Sequence, residues 1–298
     1  MRRLRLVFFG LPLAAILLAK DGHSVELAAV CRKDALGLRR LRRTLGPDRV
    51  LVKPRADDPA LLARVRELAP DLVVSWFWTT RLPMQIIRAA SQGGLGVHPS
   101  LLPRHRGPDP TFWAIDSGDT ETGATVHRIE REYDTGATLG QERLAIDPAW
   151  NAWLLARALD RPSLRLLRAT VATFARGERP TETPQDSSLA TAAPSPSDEE
   201  AAIRWTWSTE RILRRIRALA PAPGAWTELG GACVTVLRAE EARMFPSAMV
   251  PGEGCMLAGD AVVRTGDSAI VLRALEINGR PADRGEVEAL FAPHADIA

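Results

Sequence analysis

The sequence is poor in the residues that would make a disulfide scaffold, a metal site or a membrane span. It holds three cysteines in 298 residues. Cys31, Cys233 and Cys255 are widely separated and show no CxxC spacing, which argues against a disulfide framework or a cysteine zinc site and fits a reducing compartment. They read as small buried hydrophobes. After the N-terminal stretch no apolar run is long enough to span a bilayer, so no membrane partner is expected. No lysine occurs after residue 201, and the eleven arginines there meet twelve acids, leaving that third near neutral against +3 for the whole chain. A surplus this mild does not by itself argue for nucleic acid. No internal repeat is visible.

What is present is a sizeable apolar content, 46% of residues, in a chain long enough for two domains. MRRLRLVFFGLPLAAILLAK has the look of a signal peptide. It also reads as a strand, LRLVFFG, turning at Gly10 into an apolar helix. The second reading is preferred: SVELAAV (24–30) completes a β-α-β unit, and no small-residue cleavage signature follows. A cytoplasmic location is expected. Beyond it, CRKDALGLRRLRRTLG is a basic helical stretch whose Arg39, Arg40, Arg42 and Arg43 read as a solvated face. VLVKP and DLVVSWF read as further strands. DDPALLARVRELAP, with its Asp-Pro start and Pro stop, and LPMQIIRAAS read as helices. Short apolar strands alternating with helices predict a parallel, doubly wound α/β sheet. After GATVHRIE (123–130) and a long amphipathic helical stretch, residues 178–200 are rich in Pro, Ser, Thr and acid and read as an exposed linker. STERILRRIRALAP then reads as a helix with Ser208 as N-cap. Short strands broken by Gly and Pro follow, the pattern of a small β-barrel.

GGLGVHPSLLPRHRG (93–107) is where chemistry is expected. Ligands of open parallel sheets gather beyond the carboxyl ends of strands. His98 sits just past such an end, and Asp134 lies in the turn after GATVHRIE. One imidazole and one carboxylate on loops at one edge form a candidate proton-handling pair. His127, in mid-strand, reads as structural, and Arg104 and His105 as exposed loop residues.

HPSLLPRHRGPDPTFWAI and GDTETGATVHRIEREYDTGATL resemble the two signature motifs of the formyltransferase family that uses 10-formyltetrahydrofolate. The resemblance extends over nearly the whole chain. It implies a Rossmann-like catalytic domain over 1–180, a linker over 181–202, an OB-like β domain over 203–298, 10-formyltetrahydrofolate as one-carbon donor, and no metal. The family uses three polar catalytic residues: an Asn, a His two residues later, and an Asp in the second motif. His98 and Asp134 match the last two, and Gly96 stands where the Asn would be. By resemblance, His98 stabilises the oxyanion formed when an amine attacks the formyl carbon, while Asp134 keeps His98 protonated and manages the amine's proton. The folate site is expected among Trp76, Phe77, Trp78, Leu82, Pro83, the SLLP loop (Ser100, Leu101, Leu102, Pro103) and Tyr133. Trp76 and Trp78 would stack on the pterin if they share a face. Gly10, Leu11, Arg106, Gly107 and Asp109 are expected on the acceptor side, with Asp109 placed to pair with a cationic amine.

The missing amide leaves three readings open. The chain is a formyltransferase with another source for the lost bond, a transferase of a related unit such as formimidoyl, or a folate- or amine-binding protein without catalysis. The acceptor is expected to be the amine of a small metabolite or a peptide-like precursor, because RGPDPTFW resembles members acting on small amines. A tRNA acceptor is disfavoured by the short segment after the second strand and by the near-neutral C-terminal third.

Overall fold

A computed structural model describes residues 1–292. The chain forms two compact units that interleave in sequence. The first comprises residues 1–110, 121–145 and 157–194; the second comprises 111–120, 146–156 and 195 onward. The elements in chain order are β1 (Arg5–Gly10), α1 (Pro12–Lys20), β2 (Ser24–Val30), α2 (Leu38–Leu45), β3 (Val50–Val52), α3 (Pro59–Leu68), β4 (Leu72–Trp76), α4 (Met84–Arg88), β5 (Gly94–His98), α5 (Pro110–Asp116), β6 (Glu121–Arg128), β7 (Thr138–Ala145) and α6 (Ala152–Ala175). The remainder are α7 (Asp198–Ala201), α8 (Thr209–Leu219), β8 (Ala225–Leu229), β9 (Ala232–Glu241), β10 (Gly254–Leu257), β11 (Asp260–Arg264), β12 (Ala269–Ile277), β13 (Arg280–Pro281) and α9 (Arg284–Ala289).

The first unit is built on a seven-stranded sheet of order β3-β2-β1-β4-β5-β6-β7. Its first five strands are parallel, and β6 and β7 close the edge antiparallel. The expected parallel sheet is therefore mixed at the edge that carries the candidate site. β1 is the middle of the doubly wound part, and Leu6, Val7, Phe8 and Phe9 are fully buried in it. Burying each such side chain contributes about 1.5–3 kcal/mol, which is why this strand carries no alternating polar face. Even-numbered residues of β1 and β4 pack under α1 and the later turns of α6, through Leu164, Leu167 and Val171. Odd-numbered ones pack under α3 and α4, through Leu61, Val65, Ile86 and Ile87. Asp58 caps α3 by accepting from the Ala60 amide at 2.9 Å, as the Asp-Pro signal predicts.

The second unit holds an antiparallel sheet of order β10-β11-β12-β9-β8, with β13 pairing β12. It is the separate β-rich domain expected after the linker. Ser208 caps α8, as read from the sequence. Cys233 is exposed, and Cys31 and Cys255 are only half-buried, so the cysteines are not the buried hydrophobes expected. The period-two alternation of β9 turns Cys233 away from the buried Val234 and Val236. Among the described residues no helix is long and apolar enough to cross a membrane.

The stretch expected to be an exposed linker divides. Most of its side chains are exposed, yet its first part is held by backbone bonds. Thr183 exchanges two with Thr138, and Ala193 donates to the Arg106 carbonyl at 2.6 Å and accepts from the Asp109 amide at 3.1 Å.

Candidate active site

Strand pairing sets the site. β5 runs antiparallel to β6 with Gly96 opposite His127 and His98 opposite Thr125. Directly opposed residues project to the same face, as do residues two apart on one strand. Positions 96, 98, 125 and 127 therefore share a face at the carboxyl end of β5. The β6–β7 ladder shifts register between Val126 and His127, a bulge of the kind that re-aims a side chain.

His98 is the last residue of β5 and is buried. Its Nε2 lies 2.7 Å from the His105 carbonyl. A carbonyl only accepts, so Nε2 carries a proton and Nδ1 is the nitrogen left to act. Nδ1 faces Asp134 Oδ2 at 3.4 Å. His127 repeats this pattern with its nitrogens exchanged. Its Nδ1 donates to the Arg128 carbonyl at 2.8 Å, and its Nε2 faces Asp134 Oδ1 at 3.5 Å. One carboxylate thus lies between two buried imidazoles, each anchored by its far nitrogen. Asp134 sits in the left-handed region, φ 56°, which Asp tolerates better than most residues. Its Oδ2 also accepts from the Gly107 amide at 3.0 Å. About a sixth of its side chain is exposed, against 6% for either imidazole, so the carboxylate marks the open side of the array.

The loop that carries this geometry is held from three directions. Thr125 Oγ1 donates to the Ser100 carbonyl at 2.7 Å and accepts from the Leu102 amide at 3.1 Å. Gln141 donates to the Leu102 carbonyl at 2.7 Å. Gln185 ties the Asp134 turn to Arg106: its Nε2 donates to the carbonyls of Asp134 and Gly136 at 2.8 and 2.7 Å, and its Oε1 accepts from Arg106 Nε and Nη2 at 3.0 and 2.7 Å. Gly107 has φ 131°, and a β-carbon there would lie 2.6 Å from the Ala193 carbonyl oxygen, so only glycine allows this close approach.

Several sequence expectations need correction. His105 is buried rather than exposed, because its amide donates to Thr191 Oγ1 at 2.8 Å and its carbonyl anchors His98. Trp76 belongs to the core, with its indole N–H on Ser163 Oγ at 3.0 Å and Phe77 stacked against it. Phe77 adopts φ 56°, which breaks the strand alternation and turns Trp78 onto the opposite face, edge-on to Phe9. The two tryptophans therefore do not share a face. Ser100 is fully buried and spends its hydroxyl on the Arg104 carbonyl at 2.6 Å, and Leu102 is buried as well. Gly10 is set by the fold: a β-carbon there would sit 1.9 Å from the Trp76 carbonyl oxygen. Leu11 packs against the same core and donates its amide to that carbonyl at 3.2 Å. Arg106 spends its guanidinium on Gln185. Phe77, Trp78, Leu101, Pro103 and Asp109 are half-buried on the surrounding loops. The loop after β4, which carries the buried Leu82 and the half-buried Pro83, meets the Asp134 turn through Arg81. That guanidinium pairs with Glu132 at 3.1 Å and lies 5.2 Å from the Tyr133 ring centroid.

Residues 11–168 match the formyl transferase family and residues 196–286 its C-terminal domain. The chain belongs to the formyl transferase family. Among its relatives is the methionyl-tRNA formyltransferase of Syntrophus aciditrophicus strain SB, 33% identical over 279 residues that cover 92% of this chain and 86% of the relative. In fold, this formyltransferase is similar to HypX from Aquifex aeolicus solved with tetrahydrofolic acid, with a TM-score of 0.68 and 20% identity. The match covers 93% of this chain but only 44% of HypX. It is also similar to an N-formyltransferase from Helicobacter canadensis solved with folinic acid and dTDP-3-aminofucose, with a TM-score of 0.70, 14% identity, and 92% and 99% of the two chains covered.

Proposed function

We propose that this formyltransferase moves a formyl group from 10-formyltetrahydrofolate to the amine of a small metabolite or a peptide-like precursor. The observation that carries the reading is the His98–Asp134 pair, with Nδ1 3.4 Å from Oδ2 at the rim of β5 and the far nitrogen fixed by a carbonyl. In this reading His98 acts as a proton-bearing group, with Nδ1 presented to the oxygen on which negative charge develops. The donor supplies an activated formyl carbon. The surrounding residues fit it: Trp78 Nε1 is buried without a hydrogen-bond partner among the described residues, a donor of the kind that a pterin edge takes up. Trp78, Pro83, Leu101, Pro103 and Tyr133 would hold the donor beside the pair.

Charge supports the small amine. At least six of the eleven arginines after residue 201 are held against carboxylates, as in Arg204–Glu199, Arg273–Glu240 and Arg280–Glu286. Paired arginines have little left to offer phosphates. A second reading, methionyl-tRNA as acceptor, rests on α2. Arg39, Arg40, Arg42 and Arg43 are exposed there, and none is paired to a carboxylate among the described residues. The methionyl-tRNA formyltransferase relatives favour this reading too.

The test is release of tetrahydrofolate from 10-formyltetrahydrofolate, with methionyl-tRNA, an amino-sugar nucleotide, an amino acid and a hydroxylamine compared at equal concentration. Faster turnover with a small amine is expected. Faster turnover with methionyl-tRNA would establish the second reading, and no turnover with any acceptor would defeat formyl transfer itself.

A further inference from the structure

The side chain missing at position 96 leaves no empty space. A β-carbon built on Gly96 would lie 2.7 Å from His127 Nε2 and 2.9 Å from its Cε1. These distances are shorter than real β-carbons tolerate, so any residue larger than glycine must displace the imidazole. The ring is buried, and it is reached from the strand directly opposite. Its Nδ1 is committed to the Arg128 carbonyl, so in the neutral ring Nε2 is bare, and that atom faces Asp134. Burial pushes the imidazole below its ordinary value; Asp134 opposes this, and His98 and Arg106 add to it. At neutral pH Nε2 is therefore an acceptor.

We propose that His127 takes the place of the absent amide: its Nε2, lying where a side chain at position 96 would project, is a catalytic group that meets the reacting amine and the formyl oxygen. The proposal rests on the transfer reading above. The amine nitrogen bonds to the formyl carbon and the carbonyl pair moves onto oxygen, facing His98 Nδ1–H. His127 Nε2 takes a proton from the attacking nitrogen. While it holds that proton it is a donor to the same oxygen, and Asp134 Oδ1 stabilises the charge. As the oxygen pair restores the carbonyl and the bond to the carrier breaks, Nε2 returns the proton to the nitrogen that the formyl group leaves. The proton begins on the amine and ends on the carrier, and no oxidant or reductant is needed. An amide at position 96 would donate from one fixed side chain, whereas His127 accepts first and donates second.

Four proteins test this: the wild type, His127→Ala, Gly96→Asn and the double variant. Each is assayed for transfer to the acceptor that turns over fastest, for calorimetric binding of 5-formyltetrahydrofolate, and for thermal unfolding. His127→Ala is expected to lose about 10²–10³ in kcat, the range of one lost oxyanion donor or general base. It should still bind 5-formyltetrahydrofolate and should lose the acid limb that wild type shows below the ordinary histidine range. Gly96→Asn alone should unfold at lower temperature and also lose activity, because the new side chain and the ring compete for one volume. The double variant should recover about tenfold over His127→Ala, since a fixed amide donor is restored. Wild-type turnover by His127→Ala, or a double variant no faster than that single, overturns the proposal. If wild type neither binds 5-formyltetrahydrofolate nor turns over any amine, the transfer reading fails and the catalytic proposal falls with it. A turnover failure confined to the His127 variants keeps the reading and locates the chemistry at this ring.

Discussion

In the second unit the guanidinium of Arg215 is buried and forks onto Asp116, with Nε and Nη2 at 2.6 and 2.9 Å from its two oxygens. In the first unit the carboxylate of Asp134 has a buried imidazole on each side, and neither comes closer than 3.4 Å. Both clusters set one carboxylate against buried nitrogen groups, and they differ in spacing. The Arg215 fork is closed, so both carboxylate oxygens are already taken by the chain's own donors. The histidine array has the far nitrogens tied down and the near ones standing off at 3.4 and 3.5 Å, so no tight hydrogen bond commits the near nitrogens to Asp134. Donors fixed from behind are what electrostatic catalysis requires, and the array is proposed as the reacting face on that ground.

Removing the central charge should separate the two clusters most sharply. Asp134→Asn keeps the shape of the side chain and an oxygen for the Gly107 amide, but it removes the negative charge that faces both imidazoles. A fall of about 10³ in kcat/KM is expected, with the unfolding midpoint little changed, because several small effects on proton transfer and oxyanion stabilisation act together. A variant that turned over within about tenfold of wild type would show that the carboxylate only shapes the turn. Asp116→Ala should do the reverse. It leaves a buried guanidinium without its partner, which costs about 3–5 kcal/mol and is readable as a lowered urea midpoint for the second unit. Retained stability there would mean that the fork contributes little, and the contrast between the clusters would then rest on geometry alone.

The placement of the two proposed site residues at a strand end and in a turn is legible in the sequence. His98 after an apolar run and Asp134 in an Asp-Thr-Gly turn both sit where an open sheet exposes its loops. The Asp58 and Ser208 caps were equally readable, because a cap is a local event. What could not be read is pairing across strands. Nothing in GATVHRIE says that His127 faces Gly96; that follows only once β5 and β6 are known to run antiparallel in this register. A glycine and a histidine at matching depth in consecutive strands was the available signal. Trp76 and Trp78 failed for a related reason: one left-handed residue, Phe77, inverted the alternation on which the shared face depended. The backbone bonds of the segment around Gln185 are not legible in its composition, which reports polarity and is silent about hydrogen bonds.

Gln185 gives the finest test of the comparison, because it touches the array only through its frame. It holds two carbonyls of the Asp134 turn and one edge of the Arg106 guanidinium, through Nε and Nη2, yet it lies in a stretch whose composition marks it as linker. If slack at the reacting face depends on rigidity behind it, Gln185→Ala should loosen the turn and lower kcat while the KM for the amine moves little. About 1.4 kcal/mol of lost positioning in the transition state corresponds to tenfold in rate. The expected change is therefore modest, and the direction of the split is what informs. A purely structural role would lower the unfolding midpoint and leave kcat alone. A role in holding the acceptor would raise KM instead. A fall in kcat with an unchanged midpoint would mean that the second imidazole–carboxylate distance, 3.5 Å at His127, is maintained from behind by a residue that never meets the substrate.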